Sequence, residues 1–333
     1  MADAAGRRRA GTGVVGDRMT APALIDWPPD LLRATDLTRV ALDELLGLAG
    51  RMKAEPAGWT GALAGAALAC LYEVPTTRAG LSAQVAAHRL GMEPITMRSR
   101  DLDPEEEPLE DVGRILSGWS AAILVRDRSD RDLARLSAAA TVPVVNARSP
   151  EHHPCQALTD VFTMREHFGA LDGLVVAYVG PSSNAARSLL TIGALAGMTV
   201  RVAAPPAHRP EPEDVTAAAV MGELHGGQVA LVDDPREAVT GADAIVTGPW
   251  PRPADPVERR RLHEQLTPYR VTPALVQRAS ARAIVLHHLP VHRGEEIHAA
   301  AIDHPRTVVW RQAANRVPVE QAIVYALSGG GEG

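Results

Sequence analysis

The stretch LYEVPTTRAGLSAQVAAHRLG, Leu71 to Gly91, sets Thr76, Thr77 and Arg78 between a short apolar run and a helical pattern. A helix N-terminus points unpaired N–H groups and a partial positive charge outward. Two hydroxyls and a guanidinium added at that point suit a phosphate or a carboxylate. The plain alternative is a helix capped by Thr76 or Thr77, with Arg78 in solvent. The next two residues, Ala79 and Gly80, offer no further donors.

Three other segments carry groups that could do chemistry. In HHPCQ, His153 and Gln156 share a helical face, and Pro154 fits a first turn. Both side chains can hydrogen-bond a carbonyl, although the segment also reads as a polar helix start. In LHHLPVHRGEE, Leu286 to Glu296, a loop rich in His and Arg follows an apolar strand. Open α/β sheets bind ligands at such strand ends. Histidines at 152, 153, 287, 288 and 292 invite a metal, but none has the usual helical ligand spacing, so no metal site is assigned. In YVGPSSNAARS a strand, a turn at Gly180 and a helix start follow one another. The later glycines of a dinucleotide fingerprint are missing. Asn184 could hold a carboxylate there, or Ser183 and Asn184 could simply cap the helix.

Elements that would position these groups alternate along the chain. Strands read at 66–72, 93–98, 121–127 and 142–147, with helices at 36–54, 80–91, 108–119 and 130–140 between or before them. An unbroken helical pattern runs from His153 to Phe168. Alternation then resumes, with strands at 174–180, 199–205, 228–234, 244–250, 283–290 and 307–310, a Pro- and Arg-rich loop at 251–261 and a last helix at 317–327. The pattern predicts an α/β protein: two doubly wound parallel-sheet domains joined by a linker helix.

Bulk numbers agree. The 333 residues suit two domains, and 46% hydrophobic residues can fill both cores. Aromatics make up 3% and the net charge is −6, with no long basic face, which argues against nucleic acid and anionic membranes. The longest apolar stretch, near 62–72, is too short for a bilayer. Cys70 and Cys155 are too few for a disulfide scaffold, so a reducing cytoplasm is expected. Arg7, Arg8 and Arg9 precede no apolar run, so no signal peptide is expected, and residues 1–20 read as a disordered tail.

Taken in order, the four motifs resemble the aspartate/ornithine carbamoyltransferase family, on the ornithine side. EVPTTRAGLS resembles the phosphate loop, HHPCQALTDVFTMREHFG the linker helix, LHHLPVHRGEE the H-C-L-P-A-H-R-G-E-E segment, and VVWRQAANRVPVEQAIV the C-terminal helix. The resemblance implies a carbamoyl-phosphate-binding domain at 21–150, with the C-terminal helix 312–328 returning to it, and an acceptor-binding domain at 151–311. It implies attack of an amine on carbamoyl phosphate through a tetrahedral oxyanion, with no cofactor and no covalent enzyme intermediate. Thr76, Thr77 and Arg78 would hold the phosphate. Arg126 would contact phosphate and carbonyl oxygen, His153 would polarise the carbonyl, and Gln156 would hold the carbamoyl nitrogen. Arg316 would reach back from the last helix. Asn184, His287 and Leu289 would bind the acceptor. A homotrimer is implied too.

Departures from that pattern fall in both halves. Ala79 and Gly80 stand where the phosphate loop has Thr and Arg, and the segment 101–111 is acidic at Asp103, Glu105, Glu106 and Glu107. Gly248 of GPWPRPADP stands for the Asp of D-x-W-x-S-M-G, and His288 for the Cys of H-C-L-P. These changes predict a rebuilt acceptor site and an amine acceptor other than ornithine. Arg252 would greet an anionic acceptor, and His288 would accept its proton. The competing expectation is a non-catalytic homologue that binds a small anion or a protein partner.

Overall fold

The computed structural model describes residues 25–73, 77–98 and 107–329. Thr76, the 1–20 tail, Asp103, Glu105 and Glu106 lie outside the described residues.

Helix α1 (Arg39–Ala54) starts where the Thr38 side chain accepts from the Ala41 N–H. Strand β1 (Ala67–Tyr72), helix α2 (Arg78–Leu90), strand β2 (Glu93–Arg98), helix α3 (Leu109–Ser117), strand β3 (Ala122–Arg126), helix α4 (Asp130–Ala139) and strand β4 (Val144–Arg148) follow. Gly91 ends α2 with φ 80°, a left-handed cap that only glycine adopts without strain. The four strands make one parallel sheet in the order β2-β1-β3-β4.

Helix α5 (Pro154–Phe168) leads to the second half. There follow β5 (Val175–Val179), α6 (Asn184–Leu195), β6 (Thr199–Ala203), α7 (Pro212–His225), β7 (Gln228–Val232), α8 (Pro235–Val239), β8 (Ala244–Thr247), α9 (Pro256–Leu266), α10 (Pro273–Arg278), β9 (Ile284–His287), α11 (Ala299–Ile302) and α12 (Val309–Leu327). These strands form a second parallel sheet, β7-β6-β5-β8-β9. Both sheets reverse strand order internally, between β1 and β3 and between β5 and β8. Ligands in such sheets bind at the carboxyl ends of the strands beside that reversal.

Two expectations are corrected. The 251–261 segment is not all loop, because α9 begins at Pro256, capped by the Asp255 carboxylate accepting from the Val257 N–H. Pro at a first helical position has no N–H to lose, so a proline-rich stretch can start a helix. The 307–310 segment is not a strand. Thr307 makes a single bridge to Val285, and α12 begins at Val309, eight residues before the predicted start. Its β-branched first turn hid it: Val309 is fully buried, so packing decides over propensity.

One apolar cluster ties the halves together. It runs from Leu68 and Leu124 in the first sheet through Leu158, Val161 and Phe162 of α5 to Val176 and Val246 in the second, and takes in Val319 and Ile323 of α12. Helix α12 packs on α1, α2 and α5, so the chain's last helix returns to the first sheet's side. Among the described residues no helix is long and apolar enough to cross a membrane.

Candidate active site

The carboxyl ends of both sheets open on one cleft of about 560 Å³. Its walls come from the start of α2, the ends of β3 and β4, the start of α5, the turn before α6, Pro249 after β8, the loop after β9 and the middle of α12. A doubly wound sheet leaves side chains free at these strand ends, which is why residues from distant parts of the chain meet here.

One end of the cleft is cationic. Arg78, Arg126, Arg148 and Arg316 all line it. Thr77 sits at the N-cap of α2 but makes no side-chain cap bond, so its hydroxyl is not used by the helix. Thr77 and Arg78 are exposed, and Arg78 has no hydrogen-bonded partner among the described residues. Arg126 is half paired: its Nε lies 3.1 Å from Asp127, whose other oxygen is 3.2 Å from Arg148. Burial pulls the Arg126 pKa down to about 10, against the pull of Asp127, so the group stays charged at neutral pH and gains by meeting an anion. Burial also works to lower the Arg316 pKa, but Glu320, 2.7 Å from its Nε, outweighs it and keeps the pKa raised. The Arg316 Nη2 is buried with no hydrogen-bond partner in the described structure. Four guanidiniums against two carboxylates leave this end short of negative charge, which a dianion would supply.

The middle of the cleft belongs to α5. His153 stands at its N-cap, with the His153 N–H donating to Ser188 Oγ at 2.9 Å. Burial holds the His153 pKa well below its usual value, and Arg316, Arg126, Arg148 and His288 add to the effect. It is therefore a neutral imidazole at pH 7, and its Nδ1 is buried without a partner. Gln156, one turn on, donates its amide nitrogen to Asp160 Oδ1 at 2.8 Å. Its carbonyl oxygen is left to accept an N–H from the cleft.

The other end is a closed hydrogen-bonded wall. Asp160 is fully buried, and its Oδ1 also accepts from Gln312 Nε2 at 2.6 Å. His288 Nε2 meets Asp160 Oδ2 at 2.8 Å, and its ring stacks on Tyr178 at 6.2 Å between centroids. The His287 side chain is committed elsewhere. Its Nδ1 accepts from the Leu289 N–H at 2.9 Å, so Nε2 carries the proton toward Glu296 at 3.0 Å. Burial lowers the His287 pKa and keeps it neutral. His287 therefore braces the loop rather than presenting its ring. Leu289 holds φ 38°, a left-handed position that costs a non-glycine residue about 1–2 kcal/mol. Asn184 lines the cleft, but its amide nitrogen donates to Ser149 O at 2.7 Å, bridging the two halves. The adjacent Ser183 is the cap of α6.

Arg252 is the exception. It is exposed, lies 2.5 Å from Glu295 and does not line the cleft, so nothing in its position offers it to an acceptor. His292, Glu295 and Glu296 bring ligand-type atoms within 4.8 Å of one another. They already serve each other: Glu296 Oε1 takes the His287 ring and the His292 N–H, and Glu295 takes Arg252. That argues for a loop brace.

Sequence reasoning missed Arg148, Asp160 and Gln312. Asp160 had a signal, since it stands four residues after Gln156 on the same helical face. Arg148 and Gln312 had none beyond their closeness to better motifs.

Such a cleft, cationic at one end and with a neutral imidazole and a carbonyl acceptor beside it, is built to hold an anionic ligand next to groups that can polarise and orient a carbonyl. The comparisons narrow this. Residues 29–166 match the carbamoyl-P binding domain of the aspartate/ornithine carbamoyltransferases, and residues 172–327 match their Asp/Orn binding domain. An ornithine carbamoyltransferase of Parafrankia sp. is 41% identical over 88% of this chain and 94% of its own. One from Acidothermus cellulolyticus is 41% identical over 80% of this chain and 86% of its own. The solved ornithine carbamoyltransferase of Pyrococcus furiosus superposes with TM-score 0.86 at 34% identity, covering 89% of this chain and 96% of that one. The chain belongs to the aspartate/ornithine carbamoyltransferase family, and it is a carbamoyltransferase.

Proposed function

We propose that the cleft transfers the carbamoyl group of carbamoyl phosphate to an amine acceptor other than ornithine. Thr76, Thr77 and Arg78 hold the phosphate together with the N–H groups of α2, and Arg126 and Arg316 neutralise the charge that develops on the phosphate and the carbonyl oxygen. Neutral His153 donates a hydrogen bond to that oxygen, and the Gln156 carbonyl accepts from the carbamoyl nitrogen. This is catalysis by positioning and by preorganised donors. The acceptor enters over Asn184, His288 and Leu289. The single observation that carries the transfer is the meeting of Arg126, His153, Gln156 and Arg316 in one cleft. A non-catalytic binding homologue has no need to keep all four together.

The acceptor assignment rests on a different observation. A Cβ at Gly248 would lie 3.1 Å from His288 Nδ1, so the two departures from the family pattern touch each other. A wall altered at both contacting positions is a wall fitted to another molecule. The relatives are ornithine carbamoyltransferases, which makes L-ornithine the reference acceptor. The test is phosphate release from carbamoyl phosphate with L-ornithine, L-lysine, putrescine and other amines, with Arg78→Ala as control. Release with another amine that exceeds release with L-ornithine supports the reading, and preference for L-ornithine refutes the acceptor part alone. No release with any amine sinks the transferase itself.

A homotrimer is part of the proposal. Leu81 and Val85 of α2 and Ile95 of the edge strand β2 are exposed, apolar surface that suits burial between copies. Sedimentation equilibrium would give three times the 35.3 kDa chain mass. Cys70 and Cys155 are free and buried, which suits a cytoplasmic location.

A further inference from the structure

We propose that Asp160 and His288 form a proton-accepting dyad, with Nδ1 of His288 as the atom that takes the proton of the attacking amine. The inference rests on the transfer proposed above and names a group for one of its steps.

The geometry fixes the tautomer. Asp160 is fully buried, and its Oδ1 accepts from two amides, Gln156 Nε2 at 2.8 Å and Gln312 Nε2 at 2.6 Å. A carboxylate so surrounded remains an acceptor, so the 2.8 Å contact to His288 Nε2 is an N–H donating to Oδ2. The lone pair then lies on Nδ1. Among the described residues Nδ1 has no hydrogen-bond partner, and His288 lines the cleft. The ring is held by its Nε2 bond to Asp160 and packs over Tyr178, while the backbone N–H of His288, donating to Thr247 O at 3.2 Å, fixes the loop at that residue. Gly248 completes the arrangement, since any side chain there would press on Nδ1 from 3.1 Å.

The step balances. The neutral amine nitrogen forms a bond to the carbamoyl carbon, and the C–O bond to phosphate breaks, its electron pair leaving with the phosphate. The nitrogen's surplus proton passes to His288 Nδ1. The imidazolium is stabilised by Asp160 and returns its proton to the departing phosphate or to water. The titratable groups facing His288 are Asp160 and His153 of α5, Tyr178 of β5, whose phenol burial keeps protonated, and His287 at the end of β9. Burial lowers the His153 and His287 pKa values, and Asp160 is the carboxylate in contact with the His288 ring.

The experiment measures kcat/KM for the best amine of the panel between pH 5.5 and 9, in the wild type, His288→Gln and His288→Ala, with carbamoyl phosphate affinity measured separately by calorimetry. The dyad predicts that His288→Gln lowers kcat about 10²-fold or more and removes the acid limb of the profile. Carbamoyl phosphate affinity stays within about twofold, which shows that the variant is folded. Added imidazole restores part of the activity of His288→Ala, a rescue that a packing role would not give. Wild-type kcat and an unchanged acid limb in His288→Gln would overturn the dyad and leave the transferase standing. Absence of turnover with every amine, in a wild type that binds carbamoyl phosphate, removes the transfer reading and the dyad with it.

Discussion

The two ends of the cleft are built on opposite plans. At the donor end the polar groups are under-paired: Arg78 has no partner among the described residues, and the Arg316 Nη2 is buried without one. At the acceptor end nearly everything is paired internally, through Asp160, Gln156, Gln312, His287 and Glu296. Under-paired guanidiniums store their gain for the ligand. A satisfied network fixes shape, and His288 Nδ1, without a hydrogen-bond partner among the described residues, remains for the incoming molecule. The difference teaches that charge selects the donor here and geometry selects the acceptor.

The largest test of the comparison removes a donor-end charge. Arg126→Ala is expected to lower kcat/KM for carbamoyl phosphate by 10² to 10³-fold, about the effect of deleting one oriented donor in an oxyanion site. Asp127 keeps Arg148 as its partner, so the fold should hold, and an unchanged thermal midpoint would check that. Arg252→Ala, which loses only an exposed pair with Glu295, should change the same constant by less than about twofold. Equal effects from the two would erase the distinction between cleft and surface arginines.

The same end can be sharpened by addition. Ala79 is buried at the start of α2 and lines the cleft. Ala79→Thr places a hydroxyl beside the anion, and a hydrogen bond to a charged group contributes about 1.5–3 kcal/mol. Tighter binding of carbamoyl phosphate by about tenfold in calorimetry is expected. No change would mean that Thr77 and the α2 amides already satisfy the phosphate. At the opposite end, Gly248→Val should raise the acceptor KM several-fold and leave carbamoyl phosphate affinity alone. Loss of both affinities would show that the two ends are one network.

How far these ends could be read from sequence also differs. Donor-end groups announce themselves, because Thr-Thr-Arg at a helix start and Arg at a strand end are local patterns. Arg148 escaped because the strand was read as 142–147, one residue short of the arginine that ends β4. The acceptor wall depends on contacts across the chain: His288 meets Asp160, 128 residues earlier, and Gln312 joins them from α12. The register of strands read well for the same reason that the wall did not, since alternation is local and side-chain meeting is not. Helix α9 was hidden by its prolines, and the first turn of α12 by Val308, Val309 and Trp310, which read as strand.

The smallest predicted effect sits between the two ends, at His153. Burial and the neighbouring arginines hold its folded pKa well below the ordinary 6.5. The unfolded chain therefore binds a proton that the folded chain refuses once the pH drops below 6.5, and stability falls as pH falls through that window. For one histidine the loss between pH 6.5 and 5.5 is about 1 kcal/mol. His287, also held low by burial, adds a loss of the same sign. Asp130, with its pKa near about 2 because hydrogen bonds from His152 and Ser149 overcome burial, contributes its loss only at lower pH, below the ordinary 3.8. Urea unfolding at pH 7.5, 6.5 and 5.5, extended to pH 4 and 3, separates these windows. His153→Asn should flatten the decline between 6.5 and 5.5 by about 1 kcal/mol and leave the steeper acid loss untouched. An identical decline in the variant would mean that His153 is already protonated in the folded cleft, and a charged ring would then face the four arginines.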